Sequence, residues 1–356
     1  MLVNIENCEN TYESEKTKNL LKTYRNKAIK QIEKKCALCG QTLTSFCKSH
    51  TVPFSWLKNI DNQQKMLSMY SILDSNWTKQ DRGANEAGIF YSICETCDHE
   101  LFSHYENKSN YKDSLPTKEM LQEIILKICV KEIYEHRIAA KQIELLIEDH
   151  ILEKCYVEVL IAEQETLSTT IKELHRFKNK WPEFRIIYFK KVPYKVPIAY
   201  QDQIAVFSDF EGAVINNTYL NSDKIQVLYE CILPLESESI LLLFTLISNN
   251  RYSRFIRNFT SLSEDNKQKT LLYLMFSYSQ NYFISKELEE IIKQDDFVKN
   301  LAEKLMLGIQ ESNYELSRID AHIKTTIETM KSFSLEKAFH LNNYLSETYS
   351  LKYQGS

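Results

Sequence analysis

Four cysteines in the first third of the chain have the spacing of metal ligands. Cys36 and Cys39 form one C-x-x-C pair, and Cys94 and Cys97 form a second. A two-residue spacer lets a tight turn aim both thiolates at one ion, and two such pairs supply the tetrahedral thiolate set that zinc prefers. The four cysteines therefore predict a structural Zn²⁺ site, with core cysteines or a redox pair as the alternative.

The remaining five cysteines lack this spacing. Each stands alone in a helical or apolar context, which is typical of a small core residue rather than a ligand. They are Cys8, Cys47, Cys129, Cys155 and Cys231. The stretch between the two pairs is longer than in a compact zinc ribbon, which indicates that further structure is built between them.

Residues with acid–base chemistry lie between and after the cysteine pairs. His50 precedes Pro53, whose ring favours extended backbone before it, so we expect His50 near the end of a strand. Asp98 directly follows the second pair, and no Gly or Pro interrupts the segment up to Asn107, which predicts one continuous helix. On that helix Asp98 and Glu106 project to the same side, about two turns apart.

This arrangement resembles the HNH-like, treble-clef (ββα-metal) family. The shared features are C-x-x-C-G, a strand ending in His-x-x-Pro, and a second C-x-x-C that opens a helix and is followed by a polar residue. The chain has Ser49-His50 where most of the family has Asp-His. In this it resembles a subgroup of bacterial proteins, some of which are associated with phage defence. The resemblance covers about residues 33–107, and it implies a zinc-stapled fold.

The resemblance also implies roles for individual residues. His50 matches the general base that deprotonates water for attack on phosphorus. Asp98 matches a ligand of a divalent cation, and its hard oxygens suit Mg²⁺ or Mn²⁺. Ser49 replaces an aspartate and is a weaker ligand. Asn85 is the nearest counterpart of the family's middle asparagine, and Glu106 could restore the missing charge.

Each of these residues also has a structural interpretation. His50 could join the strand to the zinc site through a backbone hydrogen bond. Asp98 could simply favour the positive N-terminal end of its helix. Glu106 could be a solvated or ion-paired helix residue.

The composition of the chain limits the classes of protein to which it can belong. The 356 residues are 43% apolar and 26% charged, with a formal net charge of −4. This composition excludes disorder and a disulfide scaffold, and it provides no global basic field, so nucleic acid must be contacted locally. The basic and aromatic residues of 176–195 offer such a patch, with a surface sheet edge as the alternative. The longest apolar stretch, 239–248, is about half of a bilayer span, and no signal peptide is visible, so we expect a soluble cytoplasmic protein without membrane contact.

Periodicity predicts an α+β fold, in which the HNH-like treble-clef zinc module that the resemblance implies precedes a mainly helical domain with a small antiparallel sheet. Helices are expected over 11–35, 118–147 and 151–176, and a polar segment before residue 116 marks a domain boundary. Residues 1–115 would form the zinc module with its N-terminal helix, and 116–356 a second domain without an assigned role. The predicted strands are 184–192, 203–210, 226–234 and 239–247, and helices return from 254 to 343.

These features support two functional hypotheses. The first is a metal-dependent nuclease that cleaves a nucleic-acid phosphodiester as an effector of bacterial antiphage defence or a toxin system. The alternative is a non-catalytic, zinc-stapled module that binds nucleic acid, a nucleotide signal or a protein partner. A protein partner or an oligomer is compatible with both.

Overall fold

Two compact units make up the chain, and each combines segments that are distant in sequence. The computed structural model describes residues 11–61, 65–72, 82–111, 115–152, 156–216, 225–311 and 334–351. The first unit consists of Met1–Thr51, Ile89–Asn110 and Pro116–Pro182. The second consists of Val52–Gly88, Tyr111–Leu115 and Glu183–Ser356. The domain boundary after residue 115 stays a prediction.

Helices and antiparallel strands occur together, which confirms the α+β class. In the described parts of the chain the helices are α1 (Thr11–Gln31), α2 (Phe54–Asp61), α3 (Met69–Ile72), α4 (Glu95–Leu101), α5 (Ser103–Glu106), α6 (Lys118–Glu148), α7 (Val157–Asn179), α8 (Ser253–Ser261), α9 (Glu264–Tyr278), α10 (Glu289–Gln294) and α11 (Asp296–Glu311). The strands are β1 (Ser49–His50), β2 (Ile89–Phe90), β3 (Phe184–Val192), β4 (Ile198–Ile204), β5 (Leu228–Pro234), β6 (Ser239–Leu246) and β7 (Tyr282–Ile284).

The long helix α6 organises the first unit. Thr117 is its N-cap and accepts a hydrogen bond from the backbone N–H of Met120, as its residue type predicts. Its apolar stripe is buried, and α1, α5 and α7 pack against it. Each fully buried Leu or Ile side chain contributes about 1.5–3 kcal/mol through removal of apolar surface from water. The stripe includes Leu121, Ile124, Ile125, Ile128 and Cys129.

A five-stranded antiparallel sheet organises the second unit, in the order β3-β6-β5-β4-β7. One face forms a core with buried residues of α8 and α9, and α2 packs against β4 and β5. The strand predicted over 203–210 is wrong in its bounds, because β4 runs from Ile198 to Ile204. The sequence pattern also missed β7, which is only three residues long and depends on pairing with β4.

The helix predicted from Cys94 to Asn107 is wrong at one point. The backbone leaves helical geometry at Phe102, with φ −123° and ψ 5°, and this separates α4 from α5. Phe102 is fully buried, and its ring packs edge-on against Tyr105. Most of the helix predicted near the C-terminus lies outside the described residues, as do Cys8 and Cys155. Cys129 and Cys231 are buried as predicted, and Cys47 is half-buried.

A histidine–carboxylate pair joins α6 to α7. His136 Nδ1 lies 2.6 Å from Glu163 Oε1. Burial lowers the pKa of His136, but Glu163, with smaller effects of Glu132 and Glu135, raises it above its ordinary value. A histidine whose pKa is raised in the folded state contributes stability that is fully present below the unfolded pKa and is lost as pH rises through the folded pKa.

We therefore expect the free energy of unfolding to fall through this pair as pH rises from the ordinary pKa of histidine, about 6.5, through the raised pKa of the folded state. Urea unfolding, monitored by circular dichroism, measures this free energy at each pH. Glu163→Gln should flatten the dependence, whereas Glu165→Gln, at an exposed position of the same helix, should leave it unchanged. An equal pH dependence in the parent and in Glu163→Gln would contradict the assignment.

Candidate metal centre

The four cysteines predicted as zinc ligands lie together. Their sulfur atoms are all within 4.8 Å of one another, and Cys39 Sγ lies 3.9 Å from Cys94 Sγ. Thiolates that bind one tetrahedral zinc at about 2.3 Å are about 3.8 Å apart. Cys36, Cys39, Cys94 and Cys97 are therefore positioned to hold a metal ion, and their number and type fit structural zinc.

A tight turn shapes the first pair of ligands. The backbone N–H of Gly40 donates to the carbonyl of Cys36 at 2.9 Å, and the N–H of Cys36 donates to the carbonyl of Gln41 at 2.9 Å. Gly40 has φ +76°, a left-handed conformation that glycine adopts without the steric cost of a Cβ atom. The Gly after C-x-x-C thus lets the chain reverse directly behind the second thiol.

The start of α4 shapes the second pair. Cys94 is the N-cap of this helix, and its Sγ accepts a hydrogen bond from the N–H of Cys97 at 3.5 Å. The N–H of Cys94 itself donates to Cys36 Sγ at 3.4 Å. The N–H of Ala37 donates to the carbonyl of Ser92 at 2.9 Å. These bonds hold the two pairs against each other.

The environment of the sulfur atoms affects their ionisation unequally. Burial raises the pKa of the Cys36 thiol, but backbone N–H groups of Cys39, Cys94 and Leu38 stabilise the thiolate, and its pKa falls to about 7. Burial and the neighbouring cysteines raise the pKa of Cys97. Four thiolates this close together would repel one another, so a bound cation is the group that would allow all four to ionise.

The helices of the first unit fix the position of the first cysteine pair. Lys178 Nζ, in α7, donates to the carbonyl of Leu38 at 2.8 Å. Arg137 Nη1, in α6, donates to the carbonyl of Lys35 at 3.1 Å. The turn that carries Cys36 and Cys39 is therefore attached to the helical core of the unit on both sides.

Asp98, predicted as a ligand of a divalent cation, is surrounded by protein donors. Its Oδ1 accepts hydrogen bonds from Ser49 Oγ at 2.8 Å and from Lys127 Nζ at 2.7 Å. Cys47 Sγ lies 3.7 Å from its Oδ2. Since each carboxylate oxygen offers two lone pairs, Oδ1 is fully used and Oδ2 keeps one position for a further partner.

Lys127 is the residue of this candidate site that the sequence analysis missed. Its side chain is 3% exposed, and its Nζ also lies 3.1 Å from Glu106 Oε1. The same ammonium lies 4.1 Å from the centre of the Phe102 ring. Burial raises the pKa of Glu106, and the charge of Lys127 opposes this effect. We call Ser49, Asp98, Glu106 and Lys127 the ion network.

The signal that could have identified Lys127 is its place in the apolar stripe of α6. It lies between Ile124 and Ile128, which are both buried. A lysine is almost never fully buried unless it is paired, so a lysine in such a stripe indicates an acidic partner.

The other predicted site residues have different surroundings. His50 directly follows Ser49, pairs with Ile89 of β2, and has a buried Nε2 atom. Asn85 belongs to the second unit, where it is exposed in a turn. The catalytic roles of His50, Asp98, Asn85 and Glu106 stay predictions.

A second group with metal-ligand chemistry comprises His104, Glu119 and Glu123, whose ligand atoms also lie within 4.8 Å of one another. Hydrogen bonds account for the buried carboxylate in this group. His104 Nδ1 lies 2.6 Å from Glu123 Oε1, and the N–H of Tyr105 donates to Glu123 Oε2 at 2.8 Å. The arrangement therefore joins α5 to α6 without requiring a metal.

Comparisons with known proteins give no family for this chain. No protein-family model matches it, and neither a curated protein nor a solved structure matches it. The structure contains no helix, within the residues it describes, that combines the length and apolarity needed to cross a membrane.

Removing one thiolate should remove the metal. We expect the full chain to hold about one zinc ion, and Cys36→Ser or Cys97→Ser to lose it, because three thiolates bind zinc less tightly than four. Mass-spectrometric metal analysis of the purified chain measures the stoichiometry. Cys47→Ser is the matched control, since Cys47 lies outside the cluster. Unchanged zinc content in Cys36→Ser would disprove the site.

Removing the ammonium should destabilise the first unit. Lys127→Met would leave two carboxylates without their buried counter-ion, so we expect a loss of roughly 3–5 kcal/mol in the free energy of unfolding. Lys172→Met, at an exposed position of α7, should change it by less than about 0.5 kcal/mol. Urea unfolding of both variants measures the difference. Equal stability of the two would mean that Lys127 does not neutralise the carboxylates.

Proposed function

We propose that the first unit is the phosphodiester-cleaving part of a metal-dependent nuclease. The observation that carries the proposal is the hydrogen bond of 2.8 Å between Ser49 Oγ and Asp98 Oδ1. It joins the strand end that carries His50 to the residue directly after the second cysteine pair. The proposed roles, general base for His50 and cation ligand for Asp98, need these two segments to be adjacent.

The four cysteines would have a structural role in this nuclease. Zinc bound by four thiolates has no open coordination position, so it fixes the strand and helix without activating water. Catalysis would need a second cation, Mg²⁺ or Mn²⁺, to polarise the scissile phosphate. The free position on Asp98 Oδ2 is where the proposal places it, and Glu106 could join only if Lys127 released it.

A cleavage assay tests the proposal directly. The purified full chain is incubated with double-stranded DNA, single-stranded DNA and RNA in the presence of Mg²⁺ or Mn²⁺. We expect cleavage that His50→Ala lowers by at least about 100-fold, the usual contribution of a general base. His99→Ala, at an exposed position of α4, should retain full activity. Equal cleavage by His50→Ala and the parent would refute the mechanism.

The second candidate function is a non-catalytic, zinc-stapled module that binds nucleic acid, a nucleotide signal or a protein partner. The ion network favours it, because Lys127 already supplies a positive charge to both Asp98 and Glu106. This function predicts that the chain binds zinc but cleaves no substrate. It also predicts that no second cation binds in a way that depends on Asp98, so Asp98→Asn should not change the metal content. A role in antiphage defence or as a toxin effector would be compatible with either candidate.

A further inference from the structure

The central strand of the second unit carries a carboxylate in the middle of the sheet. Glu230 lies in β5 and is directly opposite Asp202 of the neighbouring strand β4. Directly opposite residues of an antiparallel pair share one face, with Cβ atoms about 4.5–5.5 Å apart. Tyr200 lies two residues before Asp202 and therefore shares this face as well.

This face of the sheet is the core of the unit. Ile204, Ile232 and Leu243 share it and belong to the hydrophobic cluster that packs against α8 and α9. Glu230 and Tyr200 are 0% exposed, and Asp202 is 7% exposed. The two carboxylates and the phenol thus form an oxygen-rich group that is enclosed by apolar side chains.

The hydrogen bonds of this group are incomplete. Asp202 Oδ2 accepts from Ser279 Oγ at 2.7 Å, and Asp202 Oδ1 accepts from the N–H of Gln203 at 3.1 Å. In contrast, neither oxygen of Glu230 has a hydrogen-bond partner in the parts of the chain that the structure describes. Among those residues, no ion pair involves Glu230 either.

Electrostatics connect the three residues. Burial raises the pKa of Glu230 strongly. Burial also raises the pKa of Tyr200, and the charges of Glu230 and Asp202 on the same face raise it further, while the hydroxyl of Ser279 acts in the opposite direction. A buried carboxylate without a partner is far less stable than one that is paired or bound to a metal ion.

We propose that Glu230, Asp202 and Tyr200 form a binding site for one hard divalent cation in the core of the second unit. All donors are oxygens, which Mg²⁺, Ca²⁺ and Mn²⁺ prefer, whereas structural zinc prefers sulfur and nitrogen. One divalent charge balances the two carboxylates. The cation supplies the partner that Glu230 lacks and links the central strand to β4.

Mn²⁺ alone is the probe that tests this site. The zinc-loaded full chain is dialysed against Mn²⁺ for long enough to allow exchange into an enclosed site, and bound Mn²⁺ is measured by electron paramagnetic resonance after gel filtration. We expect bound Mn²⁺ in the parent and a rise in its unfolding temperature. Glu230→Gln and Asp202→Asn should weaken Mn²⁺ binding by more than about tenfold, since even residues behind the ligands often contribute that much.

Two controls separate this site from other sites. Asp98→Asn removes the cation proposed for the first unit and should leave the Glu230-dependent Mn²⁺ signal unchanged, so the two proposals can fail independently. Glu211→Gln, at an exposed position of the second unit, should also leave it unchanged. Circular dichroism and zinc content establish that each variant is folded.

Several outcomes would overturn the proposal. Equal Mn²⁺ binding by the parent and a folded Glu230→Gln would place the cation elsewhere. The parent could also bind no Mn²⁺ and keep the same unfolding temperature when Mn²⁺ is added. That result would mean that Glu230 is simply protonated. Where Glu230→Gln fails to fold, Mn²⁺ binding by Asp98→Asn decides the matter, because that variant lacks the cation proposed for the first unit: bound Mn²⁺ that Asp202→Asn weakens supports the site, and its absence contradicts it.

Discussion

Neutralisation of buried negative charge is the constraint on which the first unit depends. Four sulfur atoms converge from two segments that are far apart in sequence, and only a cation allows all of them to be thiolates. The strands β1 and β2 contain two residues each, so their pairing supplies few hydrogen bonds to hold these segments together. A metal ion bound by the four cysteines would therefore order these segments, as in other small metal-stabilised folds. The helical core around α6 supplies the rigid support.

The same constraint is met differently a few residues away. Asp98 directly follows Cys97, the last cysteine of the metal-binding cluster. The positive charge next to it nevertheless comes from the protein itself, from the ammonium of Lys127. An ammonium neutralises Asp98 and Glu106 without a metal, but it does not offer a phosphate the open coordination positions that a divalent cation offers. The chemistry of the site therefore depends on whether Lys127 holds both carboxylates permanently or gives one of them up to a metal.

Local patterns in the sequence predicted the features that local patterns control. The cysteine pairs, the N-cap Thr117 and the stripe of α6 each depend on neighbours within a few positions, and the structure contains all three. The break at Phe102 and the strand β7 were missed, because burial of a ring and pairing with a distant strand produce them. The partner of Asp98 was missed for the same reason, since 29 residues separate it from Lys127.

Lys127 and Glu230 nevertheless share a signal that a single sequence contains. Each is a charged residue within an otherwise apolar pattern: Lys127 in the buried stripe of a helix, and Glu230 in a strand whose every residue is buried. A charge there conflicts with the local pattern, and natural sequences concentrate such conflicts where a specific interaction compensates for them. For Lys127 the compensation comes from two carboxylates of the same unit. Glu230 has none among the described residues, so the physical argument that explains the lysine requires, for the glutamate, either a partner beyond those residues or the loss of its charge.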